Sequence, residues 1–202
     1  EVDVPGSTGY VHMNVVELDD GTLHALFRSR WADFVHASRS SDDGETWSVP
    51  TPTDLPNNNS SIQHLRLADG RLAVVYNHAS RLDATGRREN LYDEIGDDGL
   101  IEPSAAAPVP KAEKSGRTAF WGAPRAPLSL ALSDDEGQTF AVAGNLDEGD
   151  GYCLTNNSRD RLNREFSYPA IAQGPDRLDV AYTYFRQTIK HVRLPADWRQ
   201  GT

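Results

Sequence analysis

The stretch Ser40–Trp47 reads Ser-Ser-Asp-Asp-Gly-Glu-Thr-Trp, and Ser133–Phe140 repeats it as Ser-Asp-Asp-Glu-Gly-Gln-Thr-Phe. Both copies fit the pattern Ser-x-Asp-x-Gly-x-Thr-aromatic. The pattern predicts a tight turn between two strands, because Ser and Asp accept backbone N–H groups, Gly takes a positive φ, and the aromatic residue returns to the core. Each copy is therefore a folding signal before it is a functional one.

The segments before and around the first copy predict a four-stranded antiparallel unit. Residues 11–18 and Thr22–Arg30 flank an Asp-Gly turn at 19–21, and Ala32–Ser40 and Glu45–Val49 supply two further strands.

The same hairpin begins two more units. It reads Val-Val-Glu-Leu-Asp-Asp-Gly-Thr-Leu at 15–23, Leu-Arg-Leu-Ala-Asp-Gly-Arg-Leu at 65–72 and Ala-Ile-Ala-Gln-Gly-Pro-Asp-Arg-Leu at 170–178. A unit of roughly 40–50 residues that recurs in this way, insertions excluded, is typical of β-propeller blades. We therefore predict one all-β domain over residues 1–202, with about three four-stranded blades at about 10–50, 57–147 and 163–202. A segment at about 79–123 is too long for a plain connection and is interpreted as either a surface loop or the rim of an active site.

The two Asp-containing turns resemble the Asp boxes of sialidase-type β-propellers, and the chain resembles the predicted-neuraminidase branch of the BNR-repeat sialidase superfamily. Asp boxes also occur in propellers that are not sialidases, so they imply the fold rather than the function. The resemblance implies a propeller with six blades when complete, of which this chain matches the C-terminal half. Because propellers close with about four to eight blades, we expect an N-terminal half or a second copy of the chain, in a homodimer, to complete the ring.

Composition limits the classes of partner. The formal net charge of −10 and the lack of a basic run argue against nucleic acid or an acidic membrane surface as a partner.

No apolar stretch is long enough to predict a transmembrane helix, and no apolar leader predicts a signal peptide. The single cysteine, Cys153, excludes an internal disulfide and a multi-cysteine metal site. Asn58, Asn59 and Asn156 begin glycosylation triplets, but such triplets are common by chance.

The sequence implies neither a metal nor a cofactor. Several histidines lack metal-ligand spacing and are interpreted as structural residues: His24, His36, His64, His78 and His191.

The sialidase resemblance implies an arginine triad that binds a substrate carboxylate. Arg28 ends the strand after the first Asp-Gly turn and matches the second triad arginine; Arg30, on the same face of that strand, shares or takes the role. Arg125 stands eight residues before Ser133 and matches the third. Three arginines in the long excursion are weaker candidates: Arg81, Arg87 and Arg88.

The resemblance also implies a tyrosine nucleophile, which is an exception to the two-carboxylate rule for glycosidases. A neutral phenol suits an anomeric carbon that already carries a carboxylate, because Asp or Glu would be repelled there. Tyr168, before the turn that contains Pro175 and Asp176, matches this nucleophile, and Glu165 is a nearby candidate carboxylate.

Two positions depart from the family pattern. His12 stands where sialidases place the glutamate that activates the tyrosine; a histidine can act as a general base, but it lacks the negative charge. His12 therefore also fits a relative that acts on another sugar. Thr183 stands where a further glutamate is expected. The first triad arginine and the acid/base Asp belong to blades outside this match.

Two function classes follow. The leading hypothesis is the C-terminal half of an exo-acting glycoside hydrolase that acts on an acidic sugar such as sialic acid or on a glycoconjugate that carries it. The alternative is a non-catalytic propeller module that binds glycans or proteins. An upstream segment with an arginine near its first strand and an Asp in the next loop would favour the enzyme. In both cases we expect the Asp boxes at the outer perimeter.

Overall fold

Antiparallel strands form almost all of the regular structure in the computed structural model, which describes residues 1–84, 118–149 and 165–199. The strands are β1 (Tyr10–Glu17), β2 (Leu23–Ser29), β3 (Phe34–Ser40), β4 (Thr51–Pro56), β5 (Gln63–Arg66), β6 (Leu72–Asn77), β7 (Leu128–Ser133), β8 (Ala141–Asp147), β9 (Phe166–Gln173), β10 (Arg177–Tyr184) and β11 (Thr188–Pro195). A short 3-10 turn spans Arg81–Asp83. No helix in the described ranges is long and apolar enough to cross a membrane.

The strands form three antiparallel sheets in chain order. Two have the strand orders β1-β2-β3-β4 and β5-β6-β7-β8, and the third is β9-β10-β11 within residues 165–199. Strand β1 packs against β5, and β5 packs against β9, so the first strands of successive sheets lie side by side. This is the arrangement of neighbouring propeller blades, and it confirms the predicted all-β architecture. Most of the long excursion predicted at about 79–123 lies outside the described residues.

The middle blade is buried on both faces, and β6 shows how. Alternate residues of a strand point to opposite faces: Leu72, Val74 and Tyr76 enter the core shared with the first blade, whereas Ala73 and Val75 enter the core shared with the third. The first core also contains Leu26, Val35, Leu55 and Phe140; the second also contains Leu128, Phe166, Val180 and Tyr182. Because full burial of a large apolar side chain stabilises by about 1.5–3 kcal/mol, these two cores hold the three blades together.

Both Asp boxes form the predicted turn between the third and fourth strands of a blade. In the first, Ser40 Oγ donates to Asp42 Oδ1 at 2.7 Å, and Ser40 Oγ accepts from the N–H of Gly44 at 2.9 Å. The hydroxyl and the N–H of Thr46 both donate to Asp42 and lower the pKa of this carboxyl to about 2. The second box repeats these bonds from Ser133 to Thr139, and the pKa of Asp135 is likewise lowered to about 2 by Thr139.

Two details of the first box differ from the prediction. Phe140 of the second box returns to the core, but Trp47 is only half-buried outside it, and its Nε1 donates to Gly44 O at 3.1 Å. The strand predicted at Glu45–Val49 is also wrong, since β4 begins at Thr51. Asp42 holds the chain in the turn through Thr46, and Pro50 has no N–H with which to continue a ladder.

Candidate functional site

Three equivalent positions near the first strands of the blades carry His12, Ser61 and Tyr168. Each lies five residues before the last residue of β1, β5 or β9. His12 and Tyr168 both have a left-handed backbone, with φ of 56° and 53°, and the strand register breaks beside each of them. Such a backbone costs a non-glycine residue about 1–3 kcal/mol and is concentrated at functional sites. The strain marks these two positions as candidates for function.

Tyr168 presents its ring to solvent beside a guanidinium. The residue is 58% exposed, so it is not a packing residue of β9. The Cζ atom of Arg125 lies 5.7 Å from the centroid of the Tyr168 ring, within the range of a cation–π contact.

His12 lies next to Ser61 of the second blade. The Nδ1 atom of His12 is 3.1 Å from Ser61 Oγ, so within the described residues His12 makes a hydrogen bond with Ser61. Partial burial, and then the positive charge of Arg28, lower the pKa of His12. The imidazole is therefore neutral at neutral pH and can accept a proton.

Glu165 is the anionic centre of the site. Its carboxylate is almost fully buried and accepts from Arg125 Nη1 at 2.7 Å, from Arg186 Nε at 3.0 Å and from Ser167 Oγ at 3.2 Å. We expected Glu165 as a local carboxylate beside Tyr168, but the structure pairs it with two arginines. The sequence analysis did not identify Arg186. Only its contact with Glu165 in the folded protein indicates that it belongs to the site.

Arg28 brings further positive charge to the same place. Burial, followed by the charges of Arg125 and Arg30, lowers the pKa of Arg28, while negative charge on Tyr168 would raise it. The Nε atom of Arg28 is buried and finds no hydrogen-bond acceptor in the described part of the chain. The structure thus places Arg28 within electrostatic reach of His12, Arg125, Tyr168 and Arg30.

The remaining candidates lie elsewhere. The exposed Arg81 begins the 3-10 turn, and its N–H donates to Ala32 O at 2.8 Å. Arg87 and Arg88 lie outside the described residues. Thr183 pairs with Ser167 in the third blade.

A buried polar segment between the first two blades, residues 57–61, underlies the site; we call it the asparagine segment. Asn57 Oδ1 accepts the N–H of Ser29 at 3.0 Å. Asn58 Nδ2 donates to Pro124 O at 2.7 Å, and Asn59 Nδ2 donates to Phe120 O at 3.0 Å. Because Asn58 and Asn59 are buried and use their amides in this way, neither can carry a glycan.

The five histidines interpreted as structural differ in their surroundings, and the buried ring nitrogens of His24 and His64 have no hydrogen-bond partner in the described residues. His24 and His64 are buried in edge contact, with ring centroids 5.1 Å apart, between the first two blades. His36 is also buried, and its Nδ1 contacts Phe34 O at 3.0 Å. His78 contacts the Tyr76 hydroxyl at 2.5 Å, and His191 contacts Asp179 at 2.9 Å. Within residues 1–84, 118–149 and 165–199, no three His, Cys, Asp or Glu side chains are grouped so that they could hold a metal ion.

The site thus combines clustered guanidinium groups with an exposed phenol. Several guanidinium groups in one place repel one another unless negative charge intervenes. Guanidinium forks bind carboxylates in a bidentate manner. The arrangement is therefore suited to an anion that carries a carboxylate, held beside Tyr168.

Comparison with known proteins agrees with the fold. Residues 1–180 match the family described as the BNR repeat-like domain, which confirms the resemblance seen in the Asp boxes. No curated protein matches the sequence. Among solved structures, the chain is similar to an alpha-L-arabinofuranosidase of Fusarium graminearum (14% identity, TM-score 0.53), to an intramolecular trans-sialidase of Ruminococcus gnavus (15%, 0.52) and to a Hadza microbial sialidase (14%, 0.54).

The similarity covers nearly the whole of this chain but only part of each known structure. It includes 96%, 100% and 93% of this chain, against 48%, 36% and 28% of the three structures. The chain therefore spans about half the length of the first of them and less of the others. At these identities, the likeness shows the fold alone.

Proposed function

The chain belongs to the BNR repeat-like domain family, and from this membership we propose that it forms part of an exo-acting glycoside hydrolase whose substrate is an acidic sugar such as sialic acid. The observation that carries the proposal is the half-buried guanidinium of Arg28, whose Nε has no acceptor in the described residues and whose pKa is lowered by burial and by Arg125. A buried N–H group without an acceptor is costly, and a bound carboxylate would supply that acceptor.

The positive charge around Arg28 supports an anionic ligand. Arg125, which also pairs with Glu165, lowers the pKa of Arg28 through its charge. Arg30 adds positive charge at Arg28. A planar guanidinium grips a carboxylate through two parallel N–H bonds. In this proposal, Arg28 and Arg125 bind the carboxylate of the sugar, and Arg30 assists them.

Tyr168 is the proposed nucleophile. Its oxygen attacks the anomeric carbon and forms a glycosyl–tyrosine bond while the bond to the leaving group breaks, and water then hydrolyses the intermediate. His12 is the proposed base that takes the phenol proton, directly or through one water molecule, because its imidazole is neutral. We assign the protonation of the leaving group to no residue of this chain.

The test is hydrolysis by the full-length protein of two aryl glycosides, a sialoside and an α-L-arabinofuranoside. We expect release of the aryl group from the sialoside, loss of this activity in Tyr168→Phe, and wild-type activity in Arg193→Ala, because the exposed Arg193 lies on β11 and pairs weakly with Asp179 at 3.5 Å. Turnover of the neutral arabinofuranoside alone would contradict an acidic substrate.

A second function, a glycan-binding module without catalysis, is favoured by one observation. Glu165 is engaged by two arginines, and the position that would hold a glutamate carries His12, so Tyr168 has no free carboxylate beside it in the described residues. In that case the acidic sugar would bind to wild type and to Tyr168→Phe with equal affinity, and neither protein would release the aryl group.

A further inference from the structure

The asparagine segment touches the chain next to both arginines of the proposed carboxylate site. Asn57 Oδ1 accepts the N–H of Ser29, which follows Arg28 in β2. Asn57 is fully buried, and its N–H also donates to Asp33 O at 3.0 Å, so its position relative to the first blade is fixed at two points. The segment is therefore anchored one residue away from Arg28.

The next residue reaches across to the other arginine. Asn58 Nδ2 donates to the carbonyl of Pro124 at 2.7 Å, and that carbonyl belongs to the peptide group that leads into Arg125. Asn58 Oδ1 accepts the N–H of Ser60 at 3.0 Å, so both ends of the buried amide are used. An asparagine suits this position because its side chain offers a donor and an acceptor at once.

Resting on the proposed function, we propose that Asn58 is a positioning residue that fixes Arg125 relative to Arg28. Asn57 and Asn58 are adjacent in the chain, so the two hydrogen bonds tie β2 and the Pro124–Arg125 peptide to one short buried segment. Two guanidinium groups grip one carboxylate only when their spacing matches it, and hydrogen bonds weaken steeply away from about 2.7–3.2 Å. Loss of the Asn58 bond would free the peptide group on the N-terminal side of Arg125, while the bond from the Phe166 N–H to Arg125 O at 2.9 Å and the side-chain pair with Glu165 remain.

The neighbouring Asn59 provides a matched control. It makes the same kind of bond, from its Nδ2 to Phe120 O, but Phe120 lies five residues before Arg125. Its φ of 62° is left-handed, so Asn59→Ala loses a hydrogen bond and gains backbone strain. Asn58→Ala loses two hydrogen bonds, to Pro124 and from Ser60, so the two variants should destabilise the protein by comparable amounts. If Asn58 had only a structural role, the two variants would have the same effect on the position of the Arg125 side chain.

The experiment follows the Nε–Hε NMR signal of Arg125 in the full-length protein, assigned by its loss in Arg125→Lys. We expect this signal to shift or broaden in Asn58→Ala and to stay in place in Asn59→Ala. An unchanged Arg125 signal in Asn58→Ala, or an equal change in both variants, would overturn the proposal. Should Asn58→Ala fail to fold, Asn58→Leu keeps a similar volume without charge and also removes the donor to Pro124, and the same shift is expected.

Calorimetry with N-acetylneuraminic acid separates this inference from the proposed function. We expect Asn58→Ala to weaken binding about tenfold, the equivalent of about 1.4 kcal/mol, and Asn59→Ala to bind like wild type. Equal affinity of wild type and Asn58→Ala would contradict a positioning role even if the NMR signal moved. A wild-type protein that does not bind the acid would refute the proposed function, while the Arg125 signal would still decide the role of Asn58.

Discussion

Gly137 of the second Asp box packs directly against the ring of His24 in the neighbouring blade. A Cβ atom added to Gly137 would lie 2.7 Å from His24 Nε2 and 3.1 Å from a methyl of Leu72. The equivalent Gly44 of the first box has nearly the same backbone, with φ of 85° against 82°, but its added Cβ would be 3.5 Å from the nearest atom, in Leu23. The two boxes share their local geometry and differ in what surrounds them.

This contrast predicts that Gly137→Ala destabilises the protein more than Gly44→Ala. Both substitutions carry the backbone strain of a positive φ, about 1 kcal/mol, and only Gly137→Ala adds a clash, which typically costs a further 1–3 kcal/mol or so. Urea unfolding of the two variants measures the difference. Adding His24→Ala to Gly137→Ala should recover part of the loss, and equal stability of the two glycine variants would contradict the packing argument.

Arg28→Ala is predicted to weaken binding of an acidic sugar by roughly 1.5–3 kcal/mol, the scale of a lost charged hydrogen bond, with little change in melting temperature. Arg28 is half-buried, and its Nε makes no hydrogen bond in the described residues, so its removal breaks no Nε hydrogen bond and takes away a buried unpaired donor of the free protein. Titration calorimetry with the acid and with a neutral analogue measures the effect. The loss should appear with the acid only, and Arg193→Ala should bind both ligands like wild type.

Glu165→Gln is predicted to destabilise the protein by about 1.5–3 kcal/mol, because it removes the charge of a buried carboxylate that accepts from both Arg125 and Arg186. The double variant Glu165→Gln/Arg186→Gln should lose less than the sum of the two single variants, since the two residues interact directly. Denaturant unfolding of wild type, the two single variants and the double variant measures the interaction free energy between the two residues. Additive losses would show that Glu165 and Arg186 do not interact in solution.

The fold could be predicted from the sequence because its signals are local. An Asp box lies within eight residues, and its bonds from Ser40 to Asp42 and from Thr46 to Asp42 join near neighbours in the chain. The hairpin turns are equally short. The start of β4 was missed because Asp-box bonding extends the turn, so the first strand-like residues after it, from Glu45, do not pair as a strand.

The site was predictable only in part, because its contacts join distant residues. Asn58 and Pro124 are 66 residues apart, and Arg186 and Glu165 are 21 apart, so only the folded structure reveals these partners. Glu165 was read as a neighbour of Tyr168 from its separation of three residues. Only the folded structure shows that Glu165 also pairs with Arg125 and Arg186, while Tyr168 is exposed beside Arg125.

The paired histidines between the first two blades predict a loss of stability in mild acid. His24 and His64 are buried, and none of their four ring nitrogens has a hydrogen-bond partner in the described residues. Burial, with the charge of Arg39, lowers the pKa of His24 to about 4; burial, with His24, lowers that of His64 to about 3. Unfolding restores both to about 6.5, so below that pH the unfolded chain binds protons that the folded protein does not.

Stability is therefore complete above about pH 6.5 and falls as the pH drops towards 4. Each histidine contributes about 1.4 kcal/mol per pH unit, so the pair accounts for a loss on the order of 4 kcal/mol between pH 6.5 and 5. Urea unfolding at several pH values measures the slope. The variants His24→Leu and His64→Leu should each remove about half of it, and the double variant nearly all. A double variant that keeps the wild-type slope would show that other groups govern the acid sensitivity, because the two leucines cannot take up a proton.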